Sequence, residues 1–144
     1  MDIDDCYKKG QLRSIAKDPE LVRGTLEMAE QDLVAAEKSF ERSDYVWASV
    51  QTYTSMLNFA RALLFADGIR EKSHYCVVQY LAKNRSKELG DLVDKLDILR
   101  RERHMTMYDS RGHITAENVN KHLYWCRDFK EKTLKILGDQ KQNP

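Results

Sequence analysis

The chain contains 144 residues, of which 24 are Lys or Arg and 23 are Asp or Glu. Because these charges nearly cancel, the composition favours neither a nucleic-acid-binding nor a membrane-surface protein, and a charge-dependent function would require a local cluster. The length suits one domain, and two prolines with a charged fraction of 33% are typical of a helical protein. No apolar run approaches the roughly 20 residues of a membrane span.

Residues 1–17 are weakly patterned, and we expect an N-terminal extension with one short helix around residues 6–16. Its acidic beginning lacks the charged and then apolar layout of a signal peptide. The three cysteines, Cys6, Cys76 and Cys126, are odd in number and widely spaced, which predicts free thiols in a reducing cytoplasm. Their spacing does not match a zinc site, so we expect no metal and no cofactor.

Two long amphipathic helices follow. Asp18, Pro19 and Glu20 are typical of a helix start, and the first helix should end near Arg42. Its apolar positions recur at steps of three and four: Val22, Leu26, Ala29, Leu33, Ala36 and Phe40. The second helix has the same spacing at Val46, Val50, Tyr53, Leu57, Ala60 and Leu64. We expect Ser43 to cap it and Gly68 to close it, so the short link between the two helices predicts an antiparallel hairpin.

Three further helices are predicted, with Ser73, Ser86 and Thr115 as their capping residues. No segment has the pattern of a strand. The prediction is an all-α fold, an antiparallel up-and-down bundle of four to five helices over residues 18–137. Residues 138–144 should form a polar, frayed tail.

The fourth helix carries the least expected residue of the chain. Its apolar stripe consists of Leu89, Leu92, Leu96 and Leu99. The next position of that stripe is Arg103, although burying an arginine costs several kcal/mol without a partner or a wet cleft. We therefore predict a functional site at Arg103, His104 and Tyr108.

Each of these side chains has a chemical role that fits a phosphate ligand. Arg103 could hold a phosphate through two hydrogen bonds, His104 could exchange a proton near neutral pH, and Tyr108 could donate a hydrogen bond. Weaker candidates that would add positive field are Lys95, Arg100 and Arg101.

A structural explanation stands beside the functional one. Arg103 could extend to water while its stem covers the last leucine of the stripe, with Tyr108 packed on the fifth helix. His74 could serve as a base, but a partly exposed structural histidine is the more frequent case. Aromatic residues at helical spacing in the second helix, Tyr53 among them, are more often core than ligand-stacking residues.

Two parts of the sequence match the helices of a known family. The first part is residues 29–37 (AEQDLVAAE). The second is residues 52–64 (TYTSMLNFARALL), followed by Gly68 and by residues 72–74 (KSH). In order and spacing these segments resemble the first, second and third helices of the HEPN-domain family, most of all of its small stand-alone prokaryotic members. The resemblance covers residues 19–137.

The resemblance implies a helical bundle that dimerises around a shared cleft. The family motif is an arginine, a polar residue, about three variable positions and a histidine, and in HEPN ribonucleases it supports metal-independent RNA cleavage. Arg103 and His104 match its beginning, Tyr108 stands in place of the histidine, and Ser110 stands where HEPN toxins carry a further tyrosine. A phenol with a pKa of about 10 is a poor base, and His104 lies roughly 100° around the helix from Arg103.

The leading hypothesis is a cytoplasmic homodimer that binds a nucleotide or an RNA phosphate. It would act with a minimal nucleotidyltransferase, as toxin–antitoxin relatives do, and metal-independent RNA cleavage is one version of it. The alternative is a non-catalytic dimeric interaction module with Arg103 and Tyr108 structural at the dimer seam. A metal-dependent four-helix enzyme is set aside because the repeated Glu-x-x-His pattern is missing.

Overall fold

The computed structural model describes residues 1–108 and 114–142, with side chains for residues 1–103 and 114–138. In chain order its elements are α1 (Ile3–Lys8), β1 (Leu12–Ser14), α2 (Pro19–Glu41), α3 (Tyr45–Ala66), β2 (Ile69–Glu71), α4 (His74–Asn84), α5 (Ser86–Leu89), α6 (Leu92–Tyr108) and α7 (Ala116–Gln142). Four long helices, α2, α3, α6 and α7, form the bundle, and the shorter α4 packs beside α3 and α6. The predicted all-α bundle is confirmed.

The α2–α3 hairpin is the centre of the bundle. The Asp18 side chain accepts a hydrogen bond from the backbone N–H of Glu20 and caps α2, as predicted. The cap of α3 is Asp44 instead of Ser43, because Ser43 makes the turn itself with a positive φ of 62°. The prediction for Ser43 was therefore wrong by one residue.

Helices α6 and α7 complete the core and run antiparallel to each other. The Sγ of Cys126 on α7 donates to the Oγ of Ser55 on α3 across 3.4 Å, and this Oγ donates to the backbone oxygen of Ala29 on α2 across 2.7 Å. The predicted leucine stripe of α5 and α6 is buried at all four positions: Leu89, Leu92, Leu96 and Leu99. The stripe thus directs the next position, Arg103, toward the interior side of α6.

A two-stranded antiparallel ribbon joins the N-terminal segment to the bundle. Leu12 lies opposite Glu71, and Ser14 lies opposite Ile69. The prediction that the chain contains no strand was wrong. Gly68 makes the ribbon possible, because its φ of +74° turns the chain out of α3 and a Cβ there would lie 3.1 Å from the backbone oxygen of Ile15.

Cys6 of α1 and Cys76 of α4 form a disulfide with their Cα atoms 5.9 Å apart. Free thiols were therefore a wrong prediction for these two cysteines. The β1–β2 pairing folds the N-terminal segment back over 70 residues of sequence onto α4, a contact that spacing does not reveal. Cys126 carries a free, buried thiol.

Two other boundaries differ from the prediction. The expected fourth helix is two helices, since Gly90 with a φ of +58° separates α5 from α6. Ser86 is the first residue of α5 and makes no capping hydrogen bond. At the C-terminus α7 continues to Gln142, so residues 138–142 belong to this helix. Among the described residues, no helix is both long and apolar enough to cross a membrane.

Candidate functional site

Arg103 lies on the inner side of α6 and reaches α3. Its guanidinium carbon lies 5.4 Å from the centre of the Tyr53 ring, which is the geometry of a cation–π contact. The Nε atom of Arg103 is buried and has no hydrogen-bond partner. Within the part of the chain that the structure describes, no carboxylate lies within salt-bridge distance of Arg103, and an orphaned buried donor of this kind requires an explanation.

Tyr53 also joins Arg103 to a histidine of another helix. The hydroxyl of Tyr53 lies 3.0 Å from Nδ1 of His74, the first residue of α4, and the two rings are 5.9 Å apart. The preceding residue, Ser73, caps α4 by accepting a hydrogen bond from the backbone N–H of Cys76, as predicted, and this cap fixes where α4 begins. Helices α3, α4 and α6 thus bring Tyr53, His74 and Arg103 into one cluster, which we call the Arg–Tyr–His cluster.

Burial and nearby charges set the protonation of this cluster. Burial raises the pKa of Tyr53 to about 12, so the phenol keeps its proton at neutral pH. Burial also lowers the pKa of His74, and Arg103, Arg61 and Arg100 lower it further against the opposing effect of Glu71. His74 is therefore neutral at pH 7, with Nδ1 hydrogen-bonded to Tyr53.

Two further arginines border the cluster and both are paired. The guanidinium of Arg100 lies 5.4 Å from the centre of the Tyr75 ring, and its Nε donates to Asp97 across 2.9 Å. The Nε of Arg61 donates to Glu71 across 2.9 Å. Since two carboxylates accompany three guanidinium groups, the site has a positive balance that favours an anionic ligand.

A series of hydrogen bonds from α3 to α2 fixes the side chain of Arg61. Its Nη1 donates to Oδ1 of Asn58 across 3.1 Å, and Nδ2 of Asn58 donates to Asp32 across 2.8 Å. Burial raises the pKa of Asp32, and the hydrogen bond from Asn58 opposes that rise. These contacts fix Arg61 beside Glu71. Arg61 therefore contributes positive charge to the site, while its N–H groups are engaged by Glu71 and Asn58.

The remaining predicted site residues lie in different places. Lys95 faces α7, where its Nζ lies 5.5 Å from the centre of the Trp125 ring and 3.2 Å from the carboxylate of Asp91. The side chain of Arg101 is 63% exposed and contacts Asp97. The side chains of His104 and Tyr108 lie outside the described residues, although α6 includes both positions.

The sequence patterns did not predict that Tyr53 and His74 lie together with Arg103. The apolar spacing of α3 predicts a core position for Tyr53, and the capping serine before His74 favours a structural role for that histidine. The two are 21 residues apart on different helices, so no local motif joins them. The sequence offered two signals for His74, its imidazole as a possible base and its place in segment 72–74 of the family resemblance.

No group of three or more His, Cys, Asp or Glu residues that could hold a metal ion occurs among the described residues. The groups that converge at the site are guanidinium, phenol and imidazole. Such groups are donors toward an anion.

Comparison with known proteins agrees with this arrangement of helices. The HEPN domain family model matches residues 22–137. The chain belongs to the HEPN family. No curated protein matches it. The HEPN match begins at α2 and includes Tyr53, His74 and Arg103, whereas α1 and β1 precede it.

Proposed function

We propose that this HEPN protein binds a nucleotide or an RNA phosphate at the Arg–Tyr–His cluster. The observation that carries the proposal is the buried Nε of Arg103, which has no partner although the guanidinium packs on Tyr53. A phosphate would accept from this donor and satisfy it. Arginine suits this role because its planar fork donates two parallel hydrogen bonds to one phosphate.

Three further observations support an RNA or nucleotide ligand. Arg100 and Arg61 add positive charge beside Arg103. The Tyr53 hydroxyl engages Nδ1 of neutral His74, which leaves Nε2 for a polar contact with a bound RNA or nucleotide. Tyr75, which lies beneath Arg100, supplies a second aromatic ring at the edge of the cluster. HEPN membership agrees with a ligand of this class.

Binding of a fluorescently labelled single-stranded RNA tests the proposal. We expect Arg103→Ala to weaken binding by about 10- to 100-fold, since hydrogen bonds to charged groups contribute about 1.5–3 kcal/mol. Loss of one phosphate contact should also reduce the slope of log affinity against log salt by about 0.7. The matched control is Arg127→Ala, because Arg127 is an exposed α7 arginine paired with Glu37. Equal affinities for wild type and Arg103→Ala would contradict the proposal.

The alternative is a non-catalytic dimeric interaction module. The contact of Arg103 with Tyr53 favours it, because this contact holds α6 against α3 without any ligand. Light scattering and urea unfolding of Arg103→Ala separate the two functions. A binding site predicts lost RNA affinity with an unchanged oligomer. An interaction module predicts a dissociated dimer or a loss of several kcal/mol of stability.

The proposal includes a homodimer and a minimal nucleotidyltransferase as partner, in the manner of toxin–antitoxin relatives. Co-expression with such an enzyme and isolation of a stable complex would support the partnership. The cytoplasmic location also stays a prediction. It was based partly on free thiols, and disulfides in the cytosol are usually transient or redox-sensing.

A further inference from the structure

We propose that His74, supplied by α4, is the proton acceptor when RNA bound at this site is cleaved by its own 2′-hydroxyl. This inference rests on the proposed function, because it requires an RNA phosphate beside Arg103. In the family motif the histidine belongs to α6, at the position that Tyr108 occupies here. We assign its role as proton acceptor to His74 of α4.

The geometry selects His74 and one of its nitrogens. Its Nδ1 is engaged by the Tyr53 hydroxyl at 3.0 Å, which fixes the orientation of the ring and leaves Nε2 for a ligand. Tyr53 is itself buried and lies beneath Arg103, 5.4 Å from the guanidinium carbon. A base held by a third group beside an anion-binding residue is a recurrent catalytic arrangement.

The charges around His74 keep it in the form that accepts a proton. Arg103 and Arg100 act from α6, Arg61 acts from α3, and Glu71 acts from β2. Partial burial of the ring is the largest cause that disfavours the imidazolium ion, and the three guanidinium groups act in the same direction against the carboxylate of Glu71. When Nδ1–H donates to the oxygen of Tyr53, Nε2 carries the lone pair that a base needs.

The reaction balances without any other reagent. Nε2 of His74 takes the proton of the 2′-hydroxyl, and the 2′-oxygen forms a bond to the adjacent phosphorus. The bond from phosphorus to the 5′-oxygen breaks, and that oxygen takes a proton from water. The resulting hydroxide accepts the proton from His74 and restores it. The products are a 2′,3′-cyclic phosphate and a 5′-hydroxyl, and Arg103 stabilises the charge that develops on the phosphoryl oxygens.

Tyr53 is then a positioning residue. It does not touch the substrate in this scheme but sets the direction of Nε2 through Nδ1. Tyr53→Phe would leave the imidazole present and misdirected. We expect this variant to lower the cleavage rate less than loss of His74 does, while keeping the dependence of the rate on imidazole ionisation.

The experiment compares wild type, His74→Ala and His74→Gln in EDTA on a labelled oligonucleotide that is DNA except for one ribose. Affinity is measured on the all-deoxy form, which binds without being cleaved. We expect both substitutions to lower the cleavage rate about 100-fold or more, and to lower it by a much larger factor than they weaken affinity for the all-deoxy form. The amide of His74→Gln can still hydrogen-bond Tyr53, so this variant guards against a loss caused by local unfolding.

Two readouts distinguish a base from a structural residue. The wild-type rate should rise with pH and level off at a lower pH than for an ordinary histidine, because burial lowers the pKa of His74. This rise should be missing in His74→Ala, and added imidazole should restore part of its rate.

The outcomes separate this inference from the function on which it rests. Binding that depends on Arg103, with no cleavage or with cleavage unchanged in both His74 variants, overturns the inference and leaves the binding function standing. No binding by the wild type overturns both. Cleavage that is lost in the His74 variants and rescued by imidazole supports both.

Discussion

Removal of the Cys6–Cys76 disulfide should destabilise the protein by several kcal/mol. The bond joins α1 to α4 and closes a loop with a sequence separation of 70. It therefore restricts the unfolded chain over α2, α3 and the β-ribbon. Replacing both cysteines by alanine removes this restriction and keeps small apolar side chains at two fully buried positions.

The expected magnitude follows from the entropy of loop closure. For a loop of about 70 residues the chain-entropy relation gives about 4 kcal/mol at 25 °C. At roughly 3 °C per kcal/mol for a chain of this size, the melting temperature should fall by about 12 °C. The urea midpoint should fall and the slope of the free energy of unfolding against urea concentration should rise, since the denatured chain without the bond is less compact and exposes more surface.

Thiol titration shows whether the bond is present before stability is compared. The denatured protein without reductant should titrate one thiol, that of Cys126, and the reduced denatured protein three. The native protein should titrate none, because burial raises the pKa of the Cys126 thiol to about 12. A reductant should lower the stability of the wild type toward that of the double variant and leave the double variant unchanged.

Two results would refute this reasoning. Three thiols titrated in the unreduced denatured protein would show that the bond does not form in solution. A loss of less than about 1 kcal/mol in the double variant, with the bond shown to be present in the wild type, would show that loop closure does not set its contribution.

Two further predictions concern stability away from the cluster. Arg85→Met should lower the free energy of unfolding in urea by about 3 kcal/mol, because the partly buried carboxylate of Asp67 loses its cation and keeps only the hydrogen bond from the Tyr80 hydroxyl. Arg23→Met at an exposed pair should lower it by less than about 1 kcal/mol, and equal losses would contradict this reasoning. Burial, together with a smaller effect of the Lys121 charge, lowers the pKa of His122 to about 4. Because the pKa of His122 is lower in the folded than in the unfolded state, protonation favours unfolding. The free energy of unfolding should fall by up to about 3 kcal/mol as the pH falls from about 6.5 to 4. The contact of Nε2 with Glu102 at 3.1 Å stabilises the protonated form and makes this decrease smaller. This decrease should be much smaller in His122→Gln, and an unchanged decrease would exclude His122 as its cause.

The hairpin and the bundle could be predicted from the sequence because helix periodicity reports which face is buried. The leucines before Arg103 are buried as predicted, and their spacing correctly placed an arginine on the interior side. Periodicity does not report which residue of another helix a side chain meets. Tyr53 has the spacing of an ordinary core residue, so its contacts with His74 and Arg103 required the three-dimensional structure.

The N-terminal segment was the least predictable part for a different reason. β1 and β2 have three residues each, which is too short for an alternating pattern to stand out. Their pairing depends on the turn at Gly68 and on a chain reversal from Ser14 to Ile69. This pairing brings α1 next to α4 and so explains why Cys6 lies beside Cys76.

Because of the ribbon, the folding unit extends beyond the residues that match the HEPN family: it includes α1 and β1, which precede residue 22. A chain trimmed to the matched residues 22–137 would lose Leu12 and Cys6, both buried against the bundle. It would expose the backbone edge of β2 and leave Cys76 unpaired beside it. An open strand edge next to a newly exposed apolar surface favours association between chains. The shorter chain should therefore aggregate where the longer one does not, although it retains every residue of the Arg–Tyr–His cluster.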